Sequence, residues 1–149
     1  MRVWMPLYGM VWLVLVAFLT AMVLPRGPAS AVLHMGFGVG VVLLAFVNAR
    51  NIEATRAPLR TKRIARACLN IAAVAAATGA LVQWGGLPTL GLLPGGWVYL
   101  VHVLAAAAVF TQAASIATSY DMWEEREVAD SEPGPAPARA PPPAHSRAH

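Results

Sequence analysis

Two histidines, His34 and His102, each lie a few residues inside the start of a long apolar run. A neutral imidazole carries one N–H donor and one lone-pair nitrogen, and the lone pair is a good ligand for iron, copper or zinc. Two rings presented to each other suit axial ligation of a b-type haem, which needs neutral imidazole nitrogens on opposite sides of the iron. Other uses compete. Each ring can hydrogen-bond to a helix carbonyl or to Asn70, Thr78, Gln83 or Gln112, or the pair can line a proton path or a quinone pocket. An ionisable group inside a bilayer is expensive unless it has such a task.

The surroundings of the histidines identify the solvent. Of 149 residues, 58% are hydrophobic and only 12% charged, too little polar surface to wrap a soluble core of this size. A run of about 20 apolar residues crosses the hydrocarbon layer as a helix. Four such runs are present, 8–24, 29–48, 64–84 and 97–120. Pro25, Gly27 and Pro28 separate the first two. Gly85, Gly86, Pro88, Gly91, Pro94, Gly95 and Gly96 fill the connection between the last two. Trp4, Tyr8, Trp84, Trp97, Tyr99, Tyr120 and Trp123 fall near the span ends, where an apolar ring and its polar handle are both satisfied.

Orientation follows from the middle connection. It carries Arg50, Arg56, Arg60, Lys62, Arg63 and Arg66 against Glu53 alone, which places it in the cytoplasm together with both termini of a multi-pass cell-membrane protein. The net charge of +4 is therefore chiefly a topology signal. Basic residues confined to one short loop beside a bilayer make no nucleic-acid footprint, and they suit anionic membrane lipids better. An A-x-A pattern at Ala29 and Ala31 would fit a signal-peptide cut, but the cut would fall inside the second span. Cys68 is the sole cysteine and reads as a small packing residue. The domain expectation is a four-helix unit over 1–127 and a disordered Pro/Ala-rich tail over 128–149, with His145 and His149 as solvated tail residues. No internal repeat is evident.

Short connections favour an all-α, integral-membrane, up-and-down four-helix bundle with spans two and four parallel on a diagonal. A rise of roughly 1.5 Å per residue puts His34 about 9 Å below Pro28 and His102 about 7–8 Å below Trp97, so their depths agree. A diagonal on the order of 13 Å is too wide for the imidazoles to touch, yet it suits two rings gripping a flat macrocycle. Gly38 lies one turn after His34, and Ala105 and Ala106 one turn after His102, so both faces admit something flat. Gly36, Gly38 and Gly40 can equally serve close helix packing. Gln83, level with the histidines, can hold a ligand's polar edge or orient an imidazole. The spans contain no acidic residue. The chain has no nucleophile beside a base, no phosphate-binding glycine loop and no cysteine cluster for zinc or iron–sulfur.

Leu33-His34 opening span two, Gly79-Ala80-Leu81-Val82 ending span three and Val101-His102 followed by alanines in span four together resemble a four-helix unit of the haem A synthase family. The pattern is also similar to small uncharacterised four-helix membrane families with a histidine in the same two helices. The resemblance covers residues 8–120 and implies haem ligation by His34 and His102. It also implies self-association of a single unit. In that family the active unit has a glutamate one turn before the helix-two histidine and an arginine just after it. This chain has Ala31 and Met35 there, and its outer loops lack the cysteine pair of many members. The expectation is thus a haem-binding scaffold for respiratory electron transfer or haem handling, as a homo-oligomer or a respiratory-complex subunit. A haem A synthase-like enzyme and a cofactor-free accessory subunit are the alternatives.

Overall fold

The computed structural model describes residues 3–25, 27–84 and 95–131, and all regular structure among them is helical. The helices are α1 (Trp4–Val23), α2 (Pro28–Glu53), α3 (Leu59–Trp84) and α4 (Gly95–Ser131). All four are long and apolar enough to cross a membrane, which implies a multi-pass membrane protein.

Each helix outruns its apolar stretch at the same end of the bundle. There α1 begins at Trp4, α2 continues to Glu53, α3 starts at Leu59 and α4 runs on to Ser131. Hydrophobicity marks the part of a helix that meets lipid. Arg, Lys and Glu are good helix formers, so the backbone keeps its ladder beyond that part. Residues 128–131 therefore lie within α4, and the remainder of the expected tail is outside the described residues, as is most of the glycine- and proline-rich connection between α3 and α4.

Neighbours around the bundle are α1·α2, α2·α3, α3·α4 and α4·α1, with α1 facing α3 and α2 facing α4 across diagonals. This is the up-and-down order that short connections dictate. The first turn is held by Ser30, whose hydroxyl accepts from the Gly27 N–H at 3.0 Å and lies 2.8 Å from the Pro25 carbonyl, just after Pro28 has started α2. At the basic end the Lys62 ammonium donates to the carbonyls of Glu53 and Thr55, closing the C-terminus of α2. Arg66 pairs with Glu53 there and holds its carboxyl below the usual carboxylate range. That contribution is present above the ordinary carboxylate pKa and lost as pH falls through the lowered value. Tyr8 donates to the Asp121 carboxylate, tying the start of α1 to the far part of α4.

The core follows a heptad-like spacing of three and four residues. Leu7, Met10, Val14 and Ala17 bury on α1, and Val41, Ala45, Asn48 and Ile52 on α2. Thr61, Ala65, Cys68 and Ala72 bury on α3, and Val109, Ala113, Ile116 and Tyr120 on α4. Most of these positions lie in the half of the bundle that carries the basic connection, whereas Ala17 on α1, and the buried Val98 and Ala105 on α4, lie at the histidine end. On α2 burial begins only at Val41, and on α3 it stops at Ala72. One half of the bundle is packed and the other is hollow. Outward faces are apolar: Trp12 is 65% exposed and Leu43 and Leu104 60%, surface that only lipid or a partner would tolerate.

Asn48 is a polar residue on the packed seam, with its amide donating to the Pro6 carbonyl at 3.1 Å and its side-chain oxygen unpartnered. A single seam asparagine fixes helix register at some cost in stability. Asn48→Ala is expected to lower stability by about 1–2 kcal/mol, read as a lower thermal midpoint in detergent with helical content retained.

Candidate functional site

Carrying the core spacing of three and four toward the hollow end leads to the histidines. On α2 the seam runs back from Ile52 through Asn48, Ala45, Val41 and Gly38 to His34, and on α4 from Tyr120 through Ile116, Ala113, Val109 and Ala106 to His102. Both imidazoles therefore stand where neighbouring turns place small core residues. They point inward from diagonal helices at one level.

Their ring centroids lie 6.1 Å apart with planes inclined at 75°. Sequence reasoning expected a gap too wide for contact. The correction is that a diagonal measures helix axes, whereas two inward imidazole side chains close most of it and bring their ring centroids within 6.1 Å. Each ring is fixed by the adjacent helix. The His34 Nδ1–H donates to the Ala17 carbonyl of α1 at 3.0 Å, and the His102 Nδ1–H donates to the Ala75 carbonyl of α3 at 2.8 Å. A carbonyl only accepts, so Nδ1 carries the proton and the lone pair of the neutral ring is on Nε2.

The two halves of the site repeat. Thr20 Oγ1 donates to the Ala17 carbonyl at 2.8 Å, and Thr78 Oγ1 lies 3.1 Å from the Ala75 carbonyl. In both hairpins a histidine of the second helix shares a first-helix carbonyl with the threonine three residues further on. The repeat has the sense of a two-fold axis along the bundle, built from only three positions per half.

Around the rings is a cavity of about 550 Å³ lined by all four helices, within the size range of cofactor and small-molecule sites. His34, His102, Gly38, Ala106 and Gln83 are among its lining residues. Ala105 is buried but lies outside the lining, because the seam steps four residues from His102 to Ala106. Gln83 is exposed along the cavity and bonds to neither histidine among the described residues. Asn70, Thr78 and Gln112 likewise make no bond to the rings.

The glycines separate into three situations. A Cβ on Gly36 or Gly38 would meet nothing within 4 Å, so these two are not close-packing glycines, and Gly38 opens onto the cavity. On Gly40 it would come within 2.9 Å of the mobile Cδ2 of Leu13. On Gly79 it would lie 2.8 Å from Cε1 and 3.0 Å from Nδ1 of His102. Gly79 thus makes the room in which the second imidazole sits. Sequence reasoning missed that role and those of Ala17, Ala75 and Thr20. The α3 register of Ala65, Cys68 and Ala72 leads on to Ala75 and Gly79 and would have found two of them.

The donor set can be tested against a porphyrin-bound metal. Metal–imidazole bonds of about 2.0–2.1 Å put each ring centroid roughly 3.2 Å from the metal, so two axial rings have centroids roughly 6.4 Å apart. The observed 6.1 Å is close to that spacing, and Nε2 is the uncommitted nitrogen on both rings. No group of three or more His, Cys, Asp or Glu side chains suited to a metal ion occurs among the described residues, so a protein-only cage is not built here. Two imidazoles over a cavity lined by alanine, glycine, valine and aromatic side chains would suit a ligand that brings its own equatorial donors.

Comparison with protein-family models, curated proteins and solved structures finds no match.

Proposed function

We propose that the chain is a small membrane b-type cytochrome-like protein in which His34 and His102 hold haem from opposite faces, for respiratory electron transfer or haem handling. The observation that carries this reading is the pair of carbonyl-anchored rings with centroids 6.1 Å apart. Haem bound there supplies a one-electron iron couple. The chain's own residues hold and shield it. The Ala17 and Ala75 carbonyls accept from Nδ1–H, fix the rotation of each ring and raise the basicity of Nε2, as outer partners of metal-bound histidines do. Gly38 and Ala106 let a flat group approach, while Phe18, Val41 and Val109 exclude water from it. Gln83 stands at the cavity to receive a polar edge.

Positive-inside charge puts the basic end and both termini in the cytoplasm and the histidines nearer the outer face of the cell membrane. A quinone is a candidate redox partner, and a second copy or a respiratory complex a candidate assembly partner. Modification of the haem, as in a haem A synthase-like enzyme, gains no support from the side chains here: the cavity wall carries Ala31 where that family has its glutamate.

Titrating haemin into the full-length protein in detergent tests the reading. The expected result is saturation at one haem per chain with a sharp visible band, and absence of any saturable change rejects it. Gly38→Phe separates site from scaffold. A benzyl group from an open position fills the cavity, so haem uptake is expected to fall by more than about tenfold with the thermal midpoint of the apoprotein unchanged or raised. Equal loss of stability and uptake would mean that Gly38 serves packing.

One observation favours a second reading, a cofactor-free accessory subunit. A carbonyl-bonded imidazole is also what a packing histidine makes. Under that reading His34→Ala and His102→Ala shift stability modestly and change no spectrum.

A further inference from the structure

A second cavity lies away from the histidines, between α3 and α4 at the basic end, with a volume of about 690 Å³. Its chemistry differs from that of the first. Arg60 is exposed at it and is the only charged residue lining it. Thr61 also lines it and is only 4% exposed, yet its hydroxyl makes no hydrogen bond among the described residues. The Ser119 hydroxyl is equally uncommitted there. By contrast Thr111, Ser115 and Thr118 donate to the carbonyls four residues back, the usual use of a helix hydroxyl. One guanidinium and two unspent hydroxyl donors therefore line one groove, with no carboxylate among its lining residues. Ile64 and Phe110 supply an apolar floor beside them.

The geometry points to a built site for one anionic phospholipid, its phosphate on Arg60, Thr61 and Ser119 and an acyl chain along Ile64 and Phe110. Donors without acceptors suit phosphate oxygens, and the guanidinium offers the bidentate fork that phosphate favours. The depth agrees. Ser119 is followed by Tyr120 and Trp123, whose rings are tilted against each other with centroids 5.4 Å apart, and amphipathic aromatics mark the headgroup level of a bilayer. This inference rests on the membrane-spanning reading of the helices and is independent of haem.

The test uses the full chain in nanodiscs of equal phosphatidylglycerol and phosphatidylcholine, followed by native mass spectrometry of the released protein. The expected result is one phosphatidylglycerol retained in preference to phosphatidylcholine, with retention falling about fivefold in Arg60→Gln. Thr61→Val should also lower it, while Arg56→Gln, which lies outside the groove, keeps it. Equal retention of the two lipids, or wild-type retention in both Arg60→Gln and Ser119→Ala, overturns the site. Displacement of the lipid by millimolar inorganic phosphate overturns the assignment to a lipid in favour of a free anion. A chain that fails to float with vesicles overturns the membrane reading and this site together, whereas one that floats without lipid preference overturns the site alone.

Discussion

His34→Ala and His102→Ala are each expected to abolish the haem absorbance band of the purified protein while leaving its helical spectrum intact. The apoprotein loses one hydrogen bond to a helix carbonyl, worth about 1 kcal/mol in either variant, and both rings border a cavity rather than a filled core. Removing an axial ligand acts on the bound state directly. Loss of an outer partner alone typically costs 10–100-fold in metal affinity, so loss of the ligand itself should exceed about 100-fold. The double variant should bind at least as weakly as either single one, because each single variant still offers one imidazole nitrogen to the iron. Unchanged pigment in both single variants would assign the rings to packing.

Gly79→Ala is expected to be the most damaging single-methyl change in the hollow half. Glycine to alanine inside a helix ordinarily gains up to about 1 kcal/mol. At Gly79 the new methyl would stand 2.8 Å from the His102 ring, which is held by its 2.8 Å bond to Ala75 and cannot move without breaking it. Overpacking of this kind costs about 1–3 kcal/mol, enough to reverse the sign. Gly38→Ala, facing open space, should be neutral or stabilising, and Gly40→Ala should lie between because the Leu13 tip can rotate. Thermal midpoints of the three variants, measured alongside haemin affinity, test this order. Retention of wild-type affinity in Gly79→Ala would show that His102 has more freedom than its contacts imply.

Much of the architecture was legible in composition. Four apolar runs, turn-forming connections and one basic loop lead to four helices in cyclic order, because burial of backbone polar groups in lipid leaves few alternatives. Hydropathy alone did not give the end of α2, since residues 49–53 are helical beyond the apolar run, whereas the acidic residues after Tyr120 did read as a solvated helix end and lie within α4. For the site, matched depth and inward direction of His34 and His102 came from counting residues along two parallel spans. Their carbonyl partners did not, because a backbone acceptor leaves no mark on residue type: Ala17 and Ala75 look like any other alanine. The repeat of carbonyl, threonine and histidine in the two hairpins was invisible for the same reason. It became readable only once Ala17 and Ala75 were seen opposite the rings. Ala105 illustrates a finer limit. Residues three and four after a histidine both count as one turn away, and only the core register of Val109, Ala113 and Ile116 selects Ala106.

The hollow half has a compositional cause as well. The α3 seam carries Ala72, Ala75 and Gly79 where a filled bundle would place leucine, and the His102 ring packs against the last two. Small residues against small residues leave space that two imidazoles do not fill.

A reduced-minus-oxidised absorbance spectrum of the full-length protein, purified after expression with haem supplied, tests the central claim most directly. Paired axial imidazoles predict sharp α and Soret bands on reduction, in about one-to-one stoichiometry with the chain. A colourless protein, or a spectrum unchanged by dithionite, would contradict the assignment of His34 and His102 as haem ligands.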